Sequence, residues 1–171
     1  MDTTPDSLEN QNNTILFLDI DGALNNSITE VEFNPFNMAN LKRLCESIRP
    51  KIVLSSDWRR YPTKISQARA EIGAIWPLFD FTPIKLSLRH RKDEIAMWLS
   101  QNEWDRALII DDMDSFECDP NIENVFFHQT DFTLGLTEDD VDSILEKLNE
   151  HARKYGANAR NCQSDQAAEQ L

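Results

Sequence analysis

A chain of 171 residues suits one domain with a sizeable core, and its formal net charge of −13 argues against tight, non-specific binding to a nucleic-acid backbone. No apolar run is long enough for a membrane span, and the polar, acidic residues 1–13 lack the basic and apolar segments of a secretory signal. Three cysteines, Cys45, Cys118 and Cys162, are far apart and form neither a CxxC metal pattern nor a disulfide framework, so a reducing cytoplasm is the expected compartment.

Residues 1–13 read as a flexible leader. The first strand is expected over 14–18, an apolar run suited to burial on both faces, and it leads into Asp19-Ile20-Asp21-Gly22. Residues 22–36 carry Gly, several Asn and a Pro and read as a loop or short hairpin. Asn37 is the expected cap of a helix over 38–48, with Leu41, Leu44, Cys45 and Ile48 as its buried stripe. Pro50 stops it. A second buried strand, 51–54, runs into Ser55-Ser56-Asp57-Trp58-Arg59-Arg60. A helix over 62–73 and a weaker strand over 79–82 follow. Next come a helix over 92–101 with Ile95, Trp98 and Leu99 inward, and a buried strand over 107–110 that runs into Asp111 and Asp112. A fifth strand lies at 125–127. Thr137 is the expected cap of a last helix, with Val141, Ile144, Leu145 and Leu148 inward and Gly156 as its end. Residues 157–171 are polar and aperiodic and read as a disordered tail. The folded unit is therefore 14–156. Alternating strands and helices predict an α/β, Rossmann-like three-layer sandwich with a mainly parallel five-stranded sheet.

Three buried strands thus end in polar clusters: Asp19 and Asp21, Ser55 and Ser56, Asp111 and Asp112. In a parallel sheet the carboxyl ends share one edge, where open α/β sheets place ligands. Carboxylates so close repel one another unless a cation or shared proton relieves them. An all-oxygen set without His or Cys favours a hard cation, Mg²⁺ first, and such an ion with open positions suits phosphoryl chemistry. Trp58 and Arg59 are candidates for the mouth of the site, holding a base or phosphate by stacking and charge. Trp76, Trp98 and Trp104 read as packing residues.

The order of these pieces, an apolar run with DxDG, one with Ser, a basic residue before a helix and one with DD, resembles the haloacid-dehalogenase-like (HAD) superfamily of phosphohydrolases. FLDIDGALN, VLSSDWR, FTP, RKDEIAMWL, LIIDDMD and LGLT are similar to the small HAD domain of the Swiss Army Knife RNA-repair group. The resemblance implies that Asp19 is a nucleophile forming an aspartyl-phosphate. Asp21 would be the general acid and then the base, with its backbone carbonyl a metal ligand. Gly22 would let the chain turn without crowding the phosphate. Ser55, or Ser56, would donate to a phosphoryl oxygen. Asp111 would be a further Mg²⁺ ligand supported by Asp112.

The third motif of the superfamily is usually a lysine. Here the candidates are Lys85, Arg89, Arg91 and Lys92, and the subgroup pattern R-x-x-E-I points to Arg91. No large insertion follows Gly22 or the third strand, so a minimal cap or none is expected, leaving a site open to a macromolecular end. The resemblance implies a Mg²⁺-dependent phosphatase with a phosphorylated substrate, a polynucleotide end first. The alternatives are a small-molecule or nucleotide phosphatase, and a catalytically weak HAD-fold binding or regulatory module.

Overall fold

The computed structural model describes residues 13–29, 31–84, 90–113 and 124–168, with side chains to residue 154. Five strands, β1 (Thr14–Leu18), β2 (Lys51–Leu54), β3 (Leu78–Phe81), β4 (Arg106–Asp111) and β5 (Val125–Gln129), form one sheet in the order β3-β2-β1-β4-β5. Every pairing is parallel. Four helices connect or follow them: α1 (Pro35–Ile48), α2 (Pro62–Gly73), α3 (Arg91–Gln101) and α4 (Glu138–Ala168). Three layers result, the α/β Rossmann-like arrangement that the alternation of elements predicts.

The sheet is apolar on both faces because helices cover both. Leu16, Leu18, Ile52 and Leu54 pack with Leu41 and Leu44 of α1, Ala68 and Ile72 of α2, and Val141, Ile144 and Leu148 of α4. Ile15, Phe17, Val53, Ala107 and Ile109 pack with Ile95 and Trp98 of α3. Trp98 meets Phe17 edge-on, with ring centroids 5.4 Å apart, and its indole N–H donates to Asp80 of β3 at 2.7 Å. That pair of contacts fixes α3 across the sheet, and α3 begins with Arg91.

The chain leaves β1 towards β2 and β3, then crosses to β4 and β5 on the other side. The strand order therefore reverses between β1 and β4, and the crevice outside their carboxyl ends is where such sheets bind ligands.

Several boundaries differ from the sequence expectation. Asn34 caps α1, not Asn37: its side chain accepts from the N–H groups of Phe36 and Asn37, and Pro35 occupies the first helical position. Asn37 is instead buried inside the helix and donates to the carbonyls of Leu134 (2.9 Å) and Leu136 (3.0 Å). At the other end of the chain, α4 continues through Gly156 to Ala168. Thr137 does cap α4, in a reciprocal box with Asp140: Thr137 N–H donates to Asp140 Oδ2 at 2.8 Å, and Asp140 N–H donates to Thr137 Oγ1 at 3.2 Å. No described helix is long and apolar enough to cross a membrane.

Candidate active site

Asp19 directly continues β1. Its N–H donates to the Ile110 carbonyl at 3.0 Å, so the β1–β4 ladder holds its backbone. Alternation puts its side chain on the face of Ile15 and Phe17, the face that α3 covers. Arg91 Nη1, from the first turn of α3, donates to Asp19 Oδ2 and also to Asp111 Oδ2 at 2.5 Å. One guanidinium nitrogen thus joins the ends of β1 and β4. Oxygens of Asp19, Asp111 and Asp112 lie within 4.8 Å of one another. Burial pushes the Asp19 carboxyl up to about 6; Arg91 opposes that rise, Asp111 adds to it, and hydrogen bonds from Ser56 and Ile20 oppose it. Asp111 is raised as well, by burial, against the pull of Arg91. Asp112 is raised by burial and by the charge of Asp19. Burial works to lower Arg91, but Asp19 and Asp111 outweigh it, and the guanidinium stays charged.

Asp21 is exposed at the sheet edge. Both of its oxygens are held: Asn25 Nδ2 donates to Oδ1 at 2.7 Å, and Trp58 Nε1 donates to Oδ2 at 3.0 Å. Trp58 is itself fixed. It is buried, meets Phe33 edge-on at 5.4 Å between centroids, and carries Lys64 Nζ 3.8 Å from its ring centroid. Gly22 follows with φ +72°, and a Cβ there would meet Asp112 Cβ at 2.6 Å. The turn after Asp21 therefore needs glycine for two reasons, backbone hand and room for Asp112. Thr130 ties this turn to β4: its Oγ1 donates to the Gly22 carbonyl at 2.7 Å and its N–H to the Asp111 carbonyl at 3.0 Å.

Ser55 and Ser56 are both buried. Ser56 hydrogen-bonds the Asp19 carboxylate and also accepts from Trp58 N–H at 3.4 Å. Among the described residues Ser55 Oγ has no hydrogen-bond partner, although its N–H donates to the Leu18 carbonyl at 3.0 Å. It comes next in register after the Leu18–Leu54 pair, level with Asp19. Arg59 is not at the mouth of the site. It is buried, donates to the carbonyls of Ser55 and Ser56 (2.7 Å to the latter), and pairs with Glu94 of α3. Its charge is spent inside the protein because Glu94, also buried, needs a partner. Arg60 Nη2 reaches the second Glu94 oxygen at 3.2 Å.

The family model described as the HAD domain in Swiss Army Knife RNA repair proteins matches residues 15–141. The chain belongs to this family. No curated protein and no solved structure matches it. Membership of a HAD family points to phosphohydrolase activity.

The acidic residues fit the Mg²⁺ that HAD domains typically use. Three carboxylates face one guanidinium, so a net negative charge is left in a buried site, and the donors are all hard oxygens. The Asp21 carboxylate stands apart from this group, bound to Trp58 and Asn25. Of the four basic candidates for the third motif, Arg91 reaches the carboxylates and Lys92 is exposed; Lys85 and Arg89 lie outside the described residues. Sequence reasoning met Glu94 only as part of the R-x-x-E-I pattern and did not single out Asn25 or Thr130. Asn25 left a local signal, an amide four residues beyond Asp21 in the same loop.

Proposed function

We propose that this HAD domain is a Mg²⁺-dependent phosphomonoesterase that forms an aspartyl-phosphate on Asp19, with the phosphorylated end of a polynucleotide as substrate. The observation that carries the reading is the bridge from Arg91 Nη1 to both Asp19 Oδ2 and Asp111 Oδ2. It holds a nucleophile candidate beside an acidic pocket with a fixed cation between them.

The chemistry follows from the residues. Asp19, raised to about 6, is still mainly ionised at neutral pH and needs no base. Its free electron pair forms the new O–P bond as the ester O–P bond breaks. Asp21, protonated for this step, passes its proton to the leaving oxygen; as carboxylate it then takes one from water, whose oxygen displaces Asp19 from phosphorus. Trp58 and Asn25 keep Asp21 aimed during both steps. Arg91 offsets the charge of nucleophile and phosphoryl group brought together. Ser56 orients the Asp19 carboxylate, and the unpartnered Ser55 hydroxyl is a donor for a phosphoryl oxygen. Carboxylates of Asp19, Asp111 and Asp112, with the Asp21 carbonyl, would hold Mg²⁺, which supplies positive charge to the phosphoryl oxygens.

The test is phosphate release from a panel: an aryl phosphate, mononucleotides, and oligonucleotides phosphorylated at either end, with Mg²⁺ and then with chelator. The reading expects release that chelator abolishes, with end-phosphorylated oligonucleotides among the substrates. Release that is unaffected by chelator, or none from any phosphate ester, overturns it.

A further inference from the structure

Beside Asp21 lies a hollow of about 490 Å³ lined by Asp21, Asn25, Ser27, Val31, Trp58 and Phe132, among others. That is within the range of about 300–1,000 Å³ common for small-molecule sites. We propose that it is the leaving-group subsite and that it takes one terminal nucleoside, gripping the base by stacking and leaving the rest of a strand unheld. The proposal rests on the phosphatase reading above and adds the substrate's recognised part.

Three observations carry it. The first is the lining itself. Asn25 Nδ2 and Trp58 Nε1 both donate to Asp21, and Ser27 N–H donates to the Phe132 carbonyl at 3.3 Å. The hollow beside the proton-donating carboxylate therefore combines amide and hydroxyl groups with the aromatic residues Trp58 and Phe132. A nucleoside matches that mixture, with a hydroxylated sugar for the polar groups and a base for an aromatic ring.

The second is exposure. Phe132 is 54 % exposed and Val31 47 %, large apolar groups at a polar rim with water on them, which stacking with a base would cover.

The third is charge. Lys64 is the one cation among the described lining residues. It already stacks on Trp58 and lies 3.5 Å from Glu32, which also lines the hollow. Among the described lining residues no further cation is left to pair with a second phosphate. Binding should then change little with salt, unlike binding through a row of phosphates.

The experiment uses the full chain in two formats. In the first, Asp19→Asn protein is titrated with a mononucleotide and with a four-nucleotide strand, both 5′-phosphorylated, at low and high salt; Phe132→Ala is then added to that background. The proposal expects affinities for the two ligands within about threefold, little salt dependence, and roughly tenfold or greater weakening by Phe132→Ala. In the second, turnover of the mononucleotide is compared with that of glycerol phosphate, and Phe132→Ala is expected to lower this preference by a similar factor. A strand bound more than about a hundredfold tighter than the mononucleotide, a steep salt slope, or a phosphotyrosine peptide preferred over nucleotides overturns the proposal. Phe132→Ala with unchanged nucleotide binding in a folded protein also overturns it. Nucleotide bound as expected but never hydrolysed overturns the phosphatase reading and leaves the subsite standing.

Discussion

Trp58 Nε1 lies 3.0 Å from Asp21 Oδ2, and this bond joins the turn after β2 to the turn after β1. The ring is held by Phe33 and Lys64, so the indole N–H has little freedom to leave the carboxylate. Trp58→Phe keeps most of the buried ring and removes the donor. One such hydrogen bond is worth about 0.5–1.5 kcal/mol. We expect kcat to fall by up to about tenfold and KM to change little. A kcat identical to that of wild type would deny Trp58 any part in setting Asp21.

Glu94→Gln tests the brace between the serine turn and α3. The change leaves the buried Arg59 guanidinium with the exposed Asp57 carboxylate, 3.9 Å away, as its remaining counter-charge. Removing one partner of a buried pair costs about 3–5 kcal/mol; the glutamine oxygen can still accept a hydrogen bond, so the lower end of that range applies. The exposed Arg60 contact adds little. Urea denaturation should show the loss as a lower midpoint with unchanged slope. A loss under about 1 kcal/mol would mean that the Ser55 and Ser56 carbonyls and Asp57 hold Arg59 without Glu94.

These two sites also show what could be read from the residues. The strands ending at Asp19 and Asp111 were legible because apolar runs buried on both faces announce themselves, and among four basic candidates before the helix the R-x-x-E-I pattern pointed to Arg91. The role of Arg59 was not, since Glu94, which draws it inward, is 35 residues away in sequence. The cap of α1 was misplaced although Asn34-Pro35 carries the local signal, because Asn37 stands closer to the apolar stripe. Ser55 and Ser56 could not be separated by sequence, as the chain leaves the regular strand at Leu54.

Gly22→Ala should damage the acidic cluster more than the fold. A positive φ costs an alanine about 1–2 kcal/mol, and its Cβ would sit 2.6 Å from Asp112 Cβ. Asp112 must therefore move. We expect Mg²⁺ affinity, read by titration of phosphate release or calorimetry, to weaken roughly tenfold or more. Unchanged affinity would remove Asp112 from the metal set.

Asp140 gives a pH dependence with a definite sign. Burial works to raise its pKa, but hydrogen bonds from Thr137 and His128 outweigh it, and the pKa is lowered. Its contribution to stability is thus complete above the ordinary aspartate value, about 3.9, and is lost as pH falls through that value and below it. The difference in stability between wild type and Asp140→Asn should be largest near neutral pH and shrink in acid. Both proteins are compared by thermal or urea midpoints from pH 7 to pH 3; a difference that grows as pH falls would reverse the assignment.

The aspartyl-phosphate is the central claim, and acid-quenched turnover with labelled phosphate ester and Mg²⁺ tests it most directly. The account predicts label on Asp19, stable in acid and removed by hydroxylamine, with neither label nor turnover in a folded Asp19→Asn protein. Phosphate release by Asp19→Asn at the wild-type rate, or wild-type turnover with label on another residue, would contradict it.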